Sequence, residues 1–129
     1  MNDFDITDIE TTLKGIVRRS GASETVYSNR PKATPSPKDD FVVVSVVGNV
    51  DDVAAYGSCK VFIYLFARDS QAFKNGPKLS KMQTALKSGM PGFEGRYEFD
   101  RNYSVLGDVP DDYGYHARVI ELLVTIKSE

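Results

Sequence analysis

Hydrophobic residues alternate with polar ones along much of this chain. In two segments, however, both the odd-numbered and the even-numbered positions carry several apolar residues. The first is Ser58–Arg68. Its aliphatic side comprises Cys59, Val61, Ile63, Leu65 and Ala67, and its aromatic side comprises Phe62, Tyr64 and Phe66. Because successive strand residues face opposite sides of a sheet, this pattern predicts a strand that is covered on both faces. Tyr113–Lys127 shows the same double alternation and predicts a second strand of this kind.

Two other segments repeat apolar residues at helical spacing. The first stripe contains Ile6, Ile9, Leu13, Ile16 and Val17, and the second, within Lys78–Lys87, contains Leu79, Met82, Ala85 and Leu86. Steps of three and four residues predict two amphipathic helices that pack on a core. Two helices are enough to cover one face of a small sheet. We therefore expect another copy of the protein to cover the second face.

Shorter strands and turns complete the pattern. Strands are predicted at Thr25–Ser28, Phe41–Val47, Tyr97–Phe99 and Tyr103–Leu106, and breaks at Gly48–Gly57, Ser88–Arg96 and Gly107–Asp112. The fold class predicted is α+β, with a mainly antiparallel sheet of about four to five strands and both helices packed on one face. The predicted core contains Ile9, Leu13, Val44, Ile63, Leu65, Met82, Leu86, Leu122 and Val124.

The segment Asn29–Asp40 is different, because it carries Pro31, Pro35 and Pro37 among polar residues. Proline fixes φ and lacks a backbone donor, so this segment is unsuited to a strand ladder and is predicted to be an extended arm. Unstructured loops of this length often contact a ligand or a neighbour. We expect the three prolines to contact a neighbouring subunit, and a solvated loop is the alternative.

The composition indicates one globular domain spanning residues 1–129. The chain is 41% hydrophobic and 26% charged, with a formal net charge of -2. This charge does not favour binding to polyanions, so we expect no direct contact with nucleic acid. The chain has no run of about eighteen apolar residues and no apolar segment after a basic start, so we expect neither a membrane span nor a signal peptide.

Candidate catalytic residues are few. Cys59 is the single cysteine and lies within an apolar strand, which favours a small buried side chain over a nucleophile. His116 is the single histidine and follows Asp111 and Asp112, which favours a structural pairing. The sequence contains no short catalytic, phosphate-binding or metal-binding motif. We therefore expect no enzymatic activity, no cofactor and no metal site.

The order of the elements resembles that of the tail-terminator or tail-completion proteins of long-tailed phages and prophages. The segments that carry the resemblance are ITDIETTLKGIV, FVVVSVV, SCKVFIYLFARD, KLSKMQTALK and YHARVIELLVTIK. The resemblance covers nearly the whole chain and rests on size, element order and hydrophobic pattern. It implies self-association into a ring, usually a hexamer, that caps the tail tube and offers a joining surface to the head. It also implies tail-tube and head-closure proteins as partners, with a location in the virion tail and, during assembly, the cytoplasm of the bacterial host.

This hypothesis places Phe62, Tyr64 or Phe66 near the subunit contact, because aromatic side chains are enriched at the centres of interfaces. Two alternatives remain open. The first is another head–tail connector or a minor tail component. The second is a small ligand-binding domain or enzyme with a pocket near Tyr64, Tyr115 and His116.

Overall fold

The computed structural model describes residues 6–28, 39–47, 56–100, 102–111 and 113–127. Its helices are α1 (Ile6–Ser20) and α2 (Gly76–Gly89). Its strands are β1 (Val26–Tyr27), β2 (Asp40–Val47), β3 (Tyr56–Arg68), β4 (Phe93–Glu94), β5 (Tyr97–Phe99), β6 (Ser104–Pro110) and β7 (Tyr115–Lys127). Pro31, Pro35 and Pro37 of the proposed arm lie outside the described residues, so their contact with a neighbour stays a prediction.

The seven strands form one mixed sheet in the order β1-β2-β3-β7-β5-β4, with β6 pairing to β7 as well. β1 runs parallel to β2, and the other pairings are antiparallel. The α+β class is confirmed, but the prediction of four to five mainly antiparallel strands is wrong, because the sheet is larger and mixed. β1 lies within the strand predicted at Thr25–Ser28. β4 lies in the predicted break Ser88–Arg96, because a segment of two residues shows no readable alternation.

The strands predicted to be covered on both faces lie beside each other at the centre of the sheet. β3 pairs with β7 along its whole length, from Tyr56 opposite Lys127 to Arg68 opposite Tyr115. On its other edge β3 pairs with β2 in the antiparallel direction, from Asp40 opposite Ala67 to Val47 opposite Lys60. The far edge of β7 is divided, since residues 116–121 pair with β6 and residues 124–126 pair with β5.

Both helices pack on one face of the sheet. Ile9 and Leu13 of α1 and Leu79 and Leu86 of α2 join the aliphatic side of β3 in one core cluster. The nine residues predicted for the core are all buried. The spacing of apolar residues was sufficient to identify them because it determines which side chains share a face.

The segment Gly107–Asp112 was predicted to be a turn, and this is wrong for residues 107–110. β6 continues through them to Pro110, with a β-bulge between Val105 and Gly107. Gly107 has φ +126, which a residue with a side chain rarely adopts. Glycine and proline are tolerated in β6 because it lies at an edge of the sheet and contains a bulge.

Candidate functional site

The face of the sheet opposite the helices, called the outer face here, is largely apolar. It is built by alternate residues of β2, β3 and β7 that lie opposite one another in the register. The rows across the sheet are Phe41, Phe66 and Ala117; then Val43, Tyr64 and Val119; then Ser45, Phe62 and Glu121. The buried residues of α1 and α2 all belong to the core on the other side. Neither described helix therefore covers this face.

One half of the outer face is closed by its own aromatic rings. The Phe41 ring stacks on the Phe66 ring with centroids 4.4 Å apart. Tyr115 and Tyr27 meet Phe41 edge-on, at centroid distances of 5.2 and 5.9 Å. Phe66 is only 5% exposed as a result. Of the three aromatic residues predicted near a contact, Phe66 therefore packs within its own domain.

The other half of the outer face remains accessible. Phe62 and Tyr64 are half-buried, with ring centroids 6.3 Å apart, and Leu123 is 44% exposed. Lys60 and Glu121 form an ion pair across this region, with Nζ and Oε1 3.9 Å apart. The accessible half thus combines apolar side chains with a charged pair, as in the centre and rim of many protein interfaces.

A groove lies between this half and the end of β6, and we call it the outer groove. It has a volume of about 250 Å³, and its apolar lining is Val43, Tyr64, Phe66, Val109, Pro110 and Ala117. Asp111 adds a carboxylate at its border. Its Oδ1 accepts hydrogen bonds from the backbone N–H groups of Tyr113 and Tyr115, which fixes the chain between β6 and β7.

The β6 wall of the groove is held from the helix side by charged groups. The guanidinium of Arg118 donates two hydrogen bonds to Asp108, of 2.7 and 2.9 Å. Lys74 adds an ion pair of 3.0 Å to the same carboxylate. Arg118 also donates to Ser80 and Gln83 of α2, at 3.0 Å each. The hydrogen bonds from Arg118 lower the pKa of Asp108 to about 2, although burial opposes the shift.

The residues of the alternative ligand pocket do not share one face. Tyr64 and Tyr115 belong to the outer face. His116 lies opposite Ala67 of the core and so faces the helix side, where its Nδ1 is 2.7 Å from Oδ1 of Asp69. The sequence indicated Asp111 and Asp112 as neighbours of His116, but Asp69 is the observed partner, and Asp112 lies outside the described residues.

Cys59 is buried, as predicted, and burial raises the pKa of its thiol to about 11. A thiol in this state is a poor nucleophile. In the part of the chain that the structure describes, no three His, Cys, Asp or Glu side chains form a group that could hold a metal ion. Neither α1 nor α2 is long and apolar enough to cross a membrane.

The outer groove was missed by the sequence reasoning because its wall is the segment predicted to be a turn. The segment gave no clear signal, because Gly107 and Pro110 are typical turn residues. The bulge also breaks the alternation, so that Val105 lies opposite Ile120 of the core while Val109 lies opposite Ala117 of the outer face. Comparison with known proteins gives no further constraint on the site: no protein-family model matches the chain, and no curated protein matches it significantly.

Proposed function

We propose that this chain is a structural protein of phage or prophage tails that associates into a ring, caps the tail tube and joins it to the head. The proposal begins from the resemblance in element order and hydrophobic pattern. The observation that carries it further is the accessible half of the outer face, where Phe62, Tyr64 and Leu123 meet solvent.

Removing such side chains from water is favourable by roughly 25 cal/mol per Å² of apolar surface. Aromatic residues supply large contact areas with few rotatable bonds, and they are enriched at the centres of interfaces. A ring subunit would bury this surface against its neighbour on assembly. The same surface would be an aggregation liability in a protein that never met a partner.

A purified-component assembly assay tests the proposal. Tails are assembled with the parent protein or with Tyr64→Asp, after circular dichroism shows that the variant folds. We expect the variant to leave tails uncapped, because a carboxylate at Tyr64 would have to be desolvated in the contact. Ile6→Asp is the matched control, since Ile6 is a large hydrophobic residue 47% exposed at the start of α1, on the opposite side of the sheet from the outer face.

The form of the defect separates the proposal from the connector alternative. If the protein stops tail growth, its loss should give overgrown tails. If it only joins tails to heads, its loss should give tails of normal length that stay unjoined. Normal capping by Tyr64→Asp would exclude this face as the contact, and infectious particles formed without the gene would refute the tail-terminator function.

Binding of a small apolar ligand in the outer groove is a second candidate function. The apolar lining favours it, but the volume of about 250 Å³ is below the roughly 300–1,000 Å³ of typical ligand pockets. A groove of this size fits one side chain better than a whole ligand. Saturable binding of indole, competed by benzene, would support this alternative.

A further inference from the structure

A tight turn between β3 and α2 is held in an unfavourable backbone conformation. Its central residues, Gln71 and Ala72, have φ values of +54° and +66°, which favour glycine or asparagine. Two backbone hydrogen bonds between Ser70 and Phe73, of 2.8 and 3.0 Å, close the turn. Such conformations persist where the surrounding structure imposes them, and they cluster at functional sites.

This turn presents Phe73 to solvent. Phe73 is 76% exposed, more than any other large hydrophobic residue in the described part of the chain. Phe93, another exposed phenylalanine, is covered by the ammonium of Lys127, 4.6 Å from its ring centroid. No ring or cation contact of this kind involves Phe73 among the described residues. The turn therefore displays an aromatic side chain that makes no ring–ring or cation–ring contact with the described residues and is mostly exposed to solvent.

We propose that the Phe73 ring of one copy docks in the outer groove of a second copy. The inference rests on the proposed self-association and identifies the contact that produces it. An enclosed apolar cavity of about 150 Å³ holds a benzene-sized ring, so the groove of about 250 Å³ can receive a phenyl group. The charges beside the two surfaces are of opposite sign as well: Lys74, which follows Phe73 and is ion-paired with Asp108 of its own molecule, is still 45% exposed, and Asp111 borders the groove.

The Phe73 side chain and the outer groove are different surfaces of the same molecule, so the contact is made either once per pair of copies, which is heterologous, or twice across a two-fold axis, which gives a closed dimer. The self-association proposed above needs the heterologous form. Heterologous contacts repeat from copy to copy and close into a ring when the rotation between copies allows it. This is the geometry that a tail cap requires. It also explains why the groove is smaller than a typical ligand pocket, since its occupant is one side chain.

Two single variants and their mixture test the contact. Phe73→Glu removes the docking ring and Val109→Glu places a charge in the groove; both positions are exposed, so each variant should fold. In sedimentation velocity across a concentration series, we expect the parent to form species larger than a dimer and each variant alone to stay monomeric. A parent that stops at a dimer would overturn the heterologous arrangement. An equimolar mixture of the two variants should form a dimer and nothing larger. The Val109→Glu copy supplies the intact Phe73 side chain and the Phe73→Glu copy supplies the intact groove, so each pair can make one contact. Phe93→Glu is the control and should associate like the parent.

Disulfide trapping covers the case in which the parent associates too weakly to sediment as an oligomer. A Gln71→Cys copy, which carries the cysteine on the same turn and keeps the Phe73 ring, is mixed with a Val109→Cys copy in a Cys59→Ala background and oxidised. We expect several-fold more cross-linked heterodimer than with Phe93→Cys in place of Gln71→Cys. Equal cross-linking of the two pairs overturns the proposal, as does parent-like association of Phe73→Glu or a mixture that stays monomeric while the parent associates. Because these measurements need only the purified chain, their failure is distinct from a failure to cap tails.

Discussion

Asp108 is an acid held by two basic side chains. It is 9% exposed, and its carboxylate receives two hydrogen bonds from Arg118 and an ion pair from Lys74. Removing one partner from a network of this kind leaves a charge that is poorly solvated and poorly paired. The contribution of Asp108 to stability therefore depends on its staying ionised.

We predict a pH-dependent loss of stability in Asp108→Asn. The folded protein holds the pKa of Asp108 at about 2, below the value of about 3.9 in an unfolded chain. Ionisation thus stabilises the fold by about 2 kcal/mol at neutral pH. This contribution is complete above about pH 4 and is lost as the pH falls through the pKa of Asp108 in the folded protein. The deficit of the variant in urea unfolding should shrink correspondingly between about pH 4 and pH 2.

Glu94→Gln is a suitable control for Asp108→Asn. Glu94 forms an exposed pair with Arg19, at 3.2 Å, and such surface pairs contribute about 0–1 kcal/mol. Glu94→Gln should therefore change the free energy of unfolding only slightly at neutral pH. An Asp108→Asn deficit of the same size at pH 2 and pH 7 would contradict the argument from ionisation.

The strained turn gives a prediction of opposite sign. Ala72 has φ +66°, and a left-handed conformation costs a residue with a side chain about 1–2 kcal/mol. Ala72→Gly relieves this cost, partly offset by the greater freedom of glycine in the unfolded chain, so stability should rise by about 0.5–1 kcal/mol. Ala85→Gly, the same change inside α2, should lower stability by about 1 kcal/mol. Chemical denaturation measures both, and a destabilised Ala72→Gly would show that the turn is not strained.

At the scale of elements, the helices meet where Gly89 of α2 approaches Ser20 of α1. A Cβ at Gly89 would lie 2.5 Å from the Cβ of Ser20 and 2.7 Å from its Cα, so the backbone itself would have to move. Gly89→Ala should cost about 1–3 kcal/mol in urea unfolding, as overpacking does. Gly76→Ala, at the open start of the same helix, should be nearly neutral. Equal effects of Gly89→Ala and Gly76→Ala on the free energy of unfolding would mean that the two helices can move apart without loss of stability.

Elements with a strong periodic pattern could be predicted from the sequence. Features that depend on residues far away in the sequence, such as strand edges and side-chain pairs, could not. The stripes of α1 and α2 and the double alternation of β3 and β7 identified these elements and the core side chains. β6 was cut short because Gly107 and Pro110 resemble turn residues, although they occupy a bulge and an edge strand. The polar partners of β7 were also missed, since Asp69 and Asp108 are brought to His116 and Arg118 by the fold.

At the scale of the whole molecule, the two sides of the sheet have different roles. The helix side holds the large aliphatic core, and the outer face holds an aromatic cluster next to an accessible apolar region. The double alternation of β3 indicated that both faces need a cover. It could not show that half of the outer face is covered by the chain's own Phe41 and Tyr115, because these rings come from other strands. The accessible part of the outer face is consequently smaller than the sequence implied.

The two clusters share β2, β3 and β7, so they should unfold together. We predict that Leu65→Ala lowers the thermal midpoint equally by far-ultraviolet circular dichroism, which reports the helices and sheet, and by near-ultraviolet dichroism, which reports the aromatic cluster. Leu65 is fully buried in the core, and such a truncation costs about 2–5 kcal/mol. Leu123→Ala, on the exposed part of the outer face, should shift both midpoints only slightly. Separate midpoints for the two signals would contradict a single cooperative domain, since an aromatic cluster that melted alone would have to leave the central strands intact.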